Sequence, residues 1–229
     1  MAIASGARVA RFGKGTTTEG GGGDARGGGG GTRERRRTGD GKKRARGRKS
    51  SETVTEFVTY ACATSEGGCA LARRETTRGA AATTSRLREL ARDDGDGEAM
   101  TAIAMDADAR RVFCASRSGR VVRVDVVEKG DGTTTTRRVK AWSPHASSPV
   151  LDMCVDATGT LLCTGSAERS ARVWDIERGY CTHAFRGRHG GAVTVTAFHP
   201  NPRAARAFAA GEDGSVAMWS LVGAESGSG

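Results

Sequence analysis

The chain has 229 residues, only 37% of them hydrophobic, with 34 glycines and a formal net charge of +10. That length holds one large domain or two small ones. No apolar run approaches the roughly 18 residues a membrane helix requires, and the N-terminus has no apolar signal region, so membrane-helical and secreted classes are not expected.

Residues 1 to 52 read as a disordered tail. Nine of the twelve residues from 20 to 31 are glycine, and such a stretch cannot recover its ordering entropy through burial. From Arg26 to Lys49 there are 11 basic residues against 2 acidic ones, a net of +9, while residues 50 to 229 balance at 22 against 22. The charge excess therefore sits on the tail, at Arg35, Arg36, Arg37, Lys42, Lys43, Arg44, Arg46, Arg48 and Lys49. These residues are expected to serve as a nuclear or nucleolar address or as a salt-sensitive RNA contact. No aromatic residue lies between 13 and 56, so base stacking adds no specificity. The absence of acids before Glu19, beside Arg8, Arg11 and Lys14, gives a faint organelle-transit character that weighs less than the nuclear reading. Gly13-Lys14-Gly15-Thr16 lacks the full spacing and the strand–helix context of a phosphate loop.

From 53 to 222 short apolar runs alternate with turn residues, as in an all-β protein. Thr84 to Arg92 has helix-forming residues but too few leucines for a packed face, so an exposed strand or a loop is equally open there. Residues 223 to 229 are expected to form a flexible end. Three segments align without gaps: Ser116 to Asp125, Ser166 to Asp175 and Gly211 to Ser220. Each follows one short apolar run closely and another further back. Their equivalent positions 124, 174 and 219 are 50 and 45 residues apart, near the roughly 40–45 residue period of a four-stranded propeller blade. The fold expected is an all-β, partial WD-repeat β-propeller of about four blades, 53–92, 98–142, 148–186 and 191–222.

The unit explains its residues. Asp213-Gly214 is a hairpin signal, and Trp174 and Trp219, with Asp175 after the first, stand where an indole fills the gap between blades and its N–H needs a partner. Thr164 or Ser166, Glu168 and His145 are the partners expected for Trp174; Asp213 and His189 are those expected for Trp219, where Gly211 removes one hydroxyl. The earlier repeat has Val124 in place of Trp and no matching His, so packing alone is expected to hold it.

The six cysteines, at 62, 69, 114, 154, 163 and 181, form no Cys-x-x-Cys pair, which argues against zinc. Several lie in apolar runs and read as buried, reduced thiols, suiting the cytosol or nucleus. No cofactor is expected. No nucleophile elbow occurs, and the chain reads as non-enzymatic, with no small-molecule substrate and no membrane partner.

Longer phrases are more specific than the repeat itself. Ser148-Pro-Val-Leu-Asp-Met153, Gly159 to Gly165, Arg172-Val-Trp-Asp-Ile176, Gly179 to Gly187 and Ala197-Phe-His-Pro-Asn-Pro202 together resemble the first propeller of the transducin-beta-like WD proteins of the small-subunit processome. Cys181-Thr182-His183 and Phe198 to Pro202 carry most of the resemblance, which continues more weakly upstream. It implies a nucleolar scaffold, a UTP-B subcomplex subunit, acting in pre-ribosomal RNA processing with a small nucleolar ribonucleoprotein and other processome proteins. The family has two tandem propellers and a helical C-terminal domain. Here about four blades follow a Gly/Arg-rich tract, so open strand edges are expected. A general WD adaptor in signalling or protein turnover would share the fold.

Overall fold

The computed structural model describes residues 9–19, 53–63, 67–78, 82–146 and 148–222. They form fifteen strands and a short 3-10 turn. The strands build four antiparallel sheets, each following chain order. The first contains β1 (Val9–Glu19), β2 (Thr53–Ala63), β3 (Cys69–Arg78) and β4 (Thr83–Asp93). The second contains β5 (Met100–Met105), β6 (Arg111–Ser116), β7 (Val121–Glu128) and β8 (Thr134–Trp142). The third contains β9 (Val150–Val155), β10 (Leu161–Ser166), β11 (Ala171–Asp175) and β12 (Cys181–Phe185). The fourth contains β13 (Val193–Phe198), β14 (Arg206–Gly211) and β15 (Val216–Ser220).

These sheets are the blades of an unclosed propeller. The first strands β5, β9 and β13 lie side by side along the inner edge, while the outer strands β4 and β8 meet at the rim. Inner strands are covered by neighbours on both faces, so they read as continuous apolar runs. Ala102, Ala104, Val150 and Met153 accordingly share one core with Phe113, Leu162 and Ile176. A second core joins the first two blades through Leu71, Ile103, Met105, Val112 and Val124.

Two segments differ from their sequence reading. Thr84 to Arg92 is strand, because β4 pairs along its whole length with β3; its two leucines suffice for an outer strand with one face in solvent. Val9–Glu19, within the segment 1 to 52 taken as tail, pairs with β2 as the inner strand of the first blade. Val-Ala-Arg-Phe and the three threonines from 16 to 18 supply the β-branched and aromatic content a strand uses. The basic positions from Arg35 to Lys49 and the flexible end 223–229 lie outside the described residues.

Hairpin turns recur with the blades. The Asp106 carboxylate accepts from the backbone N–H of Arg110 and Arg111, and Asp156 does the same for Thr160 and Leu161. The β6–β7, β10–β11 and β14–β15 turns each need a left-handed residue. Gly119 (φ 82) and Gly214 (φ 76) meet that need without strain, but Arg169 (φ 63) holds the third, where a side chain is disfavoured.

Polar bridges stitch the blades together. Arg138 donates to both carboxylate oxygens of Asp93, from Nε at 2.9 and 3.1 Å and from Nη2 at 2.9 Å, and the Thr136 hydroxyl donates to the Arg92 carbonyl at 2.8 Å. Arg111 bonds Asp106 within its blade and Glu177 of the next, at 2.8 and 2.7 Å. Buried Asp152 accepts from the Thr196 backbone N–H at 2.6 Å, tying the third blade to the fourth.

Candidate functional site

The third blade contains a buried relay built from three strands and the loop before β9. Thr164 lies on β10 opposite Arg172 of β11, which brings its hydroxyl under the Trp174 ring two residues further on. The Trp174 Nε1–H donates to Thr164 Oγ1 at 3.1 Å. Thr164 Oγ1 lies 2.8 Å from His145 Nε2, and His145 Nδ1 lies 2.8 Å from Glu168 Oε1. An ionised carboxylate only accepts, so the hydrogen-bond chain assigns the His145 proton to Nδ1. Nε2 then accepts the Thr164 proton, and every polar atom along the line is satisfied.

The relay has further members. Ser170 Oγ donates to Glu168 Oε1 at 2.6 Å and Arg172 Nη2 at 3.0 Å. Burial lowers the His145 pKa, against the pull of Glu168, and the ring is neutral. Burial also opposes the charge on Glu168, but hydrogen bonds from Ser170 and His145 and the nearby Arg172 outweigh it and hold the carboxyl below its ordinary value. Ser166, the other hydroxyl considered for Trp174, instead donates to the Pro149 carbonyl at 2.8 Å. Asp175 accepts from the Arg178 backbone N–H at 2.7 Å and caps the next turn. Ser170 and Arg172 were not anticipated, although Ser170 aligns with Ser215 in the repeat.

The fourth blade holds only half of this arrangement. His189 Nδ1 lies 2.6 Å from Ser215 Oγ, which donates to Asp213 Oδ1 at 2.6 Å. Hydrogen bonds from the Ser215 hydroxyl and from the Gly190 and Ser215 N–H groups keep the Asp213 carboxyl far below its usual range. His189 Nε2 is buried without a partner. Trp219 meets the His189 ring edge-on at 5.9 Å and stacks on Phe185 at 4.4 Å, but no hydrogen bond joins it to Asp213 or His189 among the described residues. The cause is a different residue from the one expected. In the aligned repeats Ala209 stands where the third blade has Thr164, so the missing hydroxyl is at 209 rather than at Gly211.

The second blade does not rely on packing alone. Val124 is fully buried in the indole position, and Cys114 takes the place of Thr164. Glu98, just before the inner strand, accepts from the Ser118 backbone N–H at 2.8 Å. Ser118 and Ser116 hold its carboxyl below the ordinary value. A carboxylate thus does here what a histidine does in the later blades, which a search for His could not reveal.

These networks hold blades in shape, and the surfaces they support are where partners would dock. Beside Phe198 to Pro202, a groove between the third and fourth blades is lined by Asp156, Thr160, His199, Asn201, Arg206 and Leu221. His199 Nδ1 accepts from the Asn201 N–H at 3.0 Å, so its imidazole is committed to shaping the loop. Cys62, Cys69, Cys114 and Cys163 are buried free thiols, and Cys154 and Cys181 are half-buried.

A family model described as "WD domain, G-beta repeat" matches residues 136–175 and 179–220. The chain is 37% identical over 135 residues to mouse (Mus musculus) "Transducin beta-like protein 3", covering 59% of this chain and 16% of that protein. It is 33% identical over 104 residues to the Saccharomyces cerevisiae "U3 small nucleolar RNA-associated protein 13", covering 45% of this chain and 12% of that protein. The chain thus spans about a sixth or less of the length of these relatives. Among solved structures, the "WD40 beta propeller domain of Doa1" superposes with a TM-score of 0.49 at 12% identity, over 71% of this chain and 48% of that one. Residues 136–175 and 179–220 are therefore WD domain, G-beta repeats, and the four sheets are the blades of a partial WD-repeat propeller.

Proposed function

We propose that this chain is a non-catalytic WD-repeat scaffold in ribosome biogenesis, part of the assembly of the small-subunit processome in the nucleolus. One observation carries the reading: the stretch similar to the mouse and yeast proteins above includes the repeats, and the yeast relative is named for its association with U3 small nucleolar RNA. The relay at His145, Thr164, Glu168 and Trp174 supports it by keeping a blade rigid enough to present a surface. Partners are other processome proteins, with pre-ribosomal or small nucleolar RNA reached indirectly or through the basic segment. In this reading the run from Lys42 to Lys49 sets nucleolar placement.

The test is purification of the tagged full chain from cells, with identification of associated protein and RNA. Processome proteins and small nucleolar or pre-ribosomal RNA are the expected result. Recovery of signalling or protein-turnover factors without RNA would replace this reading with that of a general WD adaptor. Nucleolar placement is tested by changing the basic residues from 42 to 49 to alanine and serine. Deleting 1 to 52 is a poorer probe, because it also removes strand β1.

A further inference from the structure

We infer that the outer rim of the first two blades is a phosphate-binding surface for a nucleic-acid strand, separate from the basic segment. Residues 50 to 229 have no net charge, yet their charges are segregated. The outer strands β4 and β8 lie side by side, joined by the Arg138–Asp93 and Thr136–Arg92 bonds. Because Arg92 meets 136 and Asp93 meets 138, the two strands run the same way and form one continuous stripe. From Arg86 to Lys140 it covers about nine strand steps, roughly 30 Å at 3.3 Å each.

The stripe's cations fall into two groups. Arg92 is paired with Glu89 and Arg138 with Asp93. Arg86, Arg88, Arg137 and Lys140 are exposed, and none has an ion pair among the described residues. Nearby acids do not cancel them: Asp96 is held by Arg120 and Asp125 by Arg123. Glu75 is half-buried opposite Arg86 and makes no ion pair with it.

Exposed hydroxyl side chains of Thr83, Thr84 and Ser85 open the stripe. Guanidinium groups bind phosphate through a fixed fork of donors, and hydroxyls add neutral donors. On β4, Arg86 and Arg88 are two residues apart, about 6.6 Å, a spacing suited to successive phosphates of an extended strand. The exposed residues of β4 and β8 include no aromatic ring, so the surface reads backbone and not bases. An acidic polypeptide is the competing ligand class. It carries charge on irregularly placed flexible side chains and gains less from a rigid ladder.

The experiment uses the full chain with the basic residues of 42–49 already replaced by alanine and serine, so that the segment does not mask the rim. Into that background go Arg86→Ser, Arg88→Ser, Arg137→Ser and Lys140→Ser together. Binding of a labelled mixed-sequence single-stranded RNA 20-mer is followed by anisotropy between 50 and 200 mM salt. Each phosphate contact on a single strand contributes about 0.7 to the log–log salt slope, so four lost contacts should reduce it by about 3. An unchanged urea midpoint shows that the blades remain folded. A companion protein with Lys at 86, 88 and 137 should keep the slope. If the slope does not change, or if polyglutamate displaces the RNA at equal charge concentration, the assignment fails. Its failure would leave the processome reading untouched, since that reading is tested by which complexes the chain joins.

Discussion

Replacing Thr164 by valine removes one hydroxyl, keeps the shape, and leaves two polar atoms without partners. His145 is fully buried, so its Nε2 would lose the Thr164 proton with no water to replace it, a cost of about 1–3 kcal/mol. Trp174 is only half-buried, and its N–H can recover part of the loss from solvent, adding about 1 kcal/mol. The sum is about 2–4 kcal/mol. Thr164→Ser is the control, because it keeps the hydroxyl and deletes one methyl, for about 1 kcal/mol. Urea unfolding of the full chain followed by tryptophan fluorescence measures both, and Trp174 reports on the site itself. Valine and serine giving the same loss would show that the hydroxyl chain contributes nothing and that only the methyl matters.

Ala209→Ser should stabilise the fourth blade by about 1 kcal/mol in the same assay, by supplying the hydroxyl that His189 Nε2 lacks. Trp174→Ala should cost more than Trp219→Ala, within the roughly 3–5 kcal/mol range of large aromatic truncations, because only Trp174 donates to a buried hydroxyl; equal or reversed losses would undo that ordering. Arg169→Gly should raise stability by about 1 kcal/mol by relieving a left-handed side-chain position, visible as a higher thermal midpoint. His145 has a folded pKa depressed by burial, so its contribution is complete above its unfolded value near 6.5 and is lost as the pH falls through the folded value. Acidification from pH 7 should therefore weaken the fold, and comparison with His145→Gln across that window isolates the histidine's share.

The blade repeat was legible because it is written twice, in the alignment of three segments and in the apolar runs before them. His145, Thr164, Glu168 and Trp174 could be named for the same reason: each occupies a fixed offset from the tryptophan. What escaped depends on substitution within that pattern. Glu98 does a histidine's work with a different side chain, and the gap at Ala209 shows only when residues are matched strand by strand. Strand β1 was hidden by its neighbours. A glycine run beginning at residue 20 colours the whole N-terminus as unstructured, although Val9 to Glu19 has a strand's composition. Summed charge misled in a similar way, since balanced totals conceal a rim whose cations and anions are not neighbours.

The first blade also has a cost in chain entropy that the other blades avoid. Its inner strand is joined to its second strand through 33 residues, from 20 to 52, whereas the β9–β10 turn uses five. Closing the longer loop costs about 1.7 kcal/mol more, from the logarithmic dependence on length, and makes β1·β2 a non-local pairing. The later blades can form from hairpins alone, so β1 should dock last and detach first. The same logarithm makes this connection tolerant of change: doubling its length would add only about 0.6 kcal/mol. Residues can therefore be gained or lost between Glu19 and Thr53 with little penalty to the propeller.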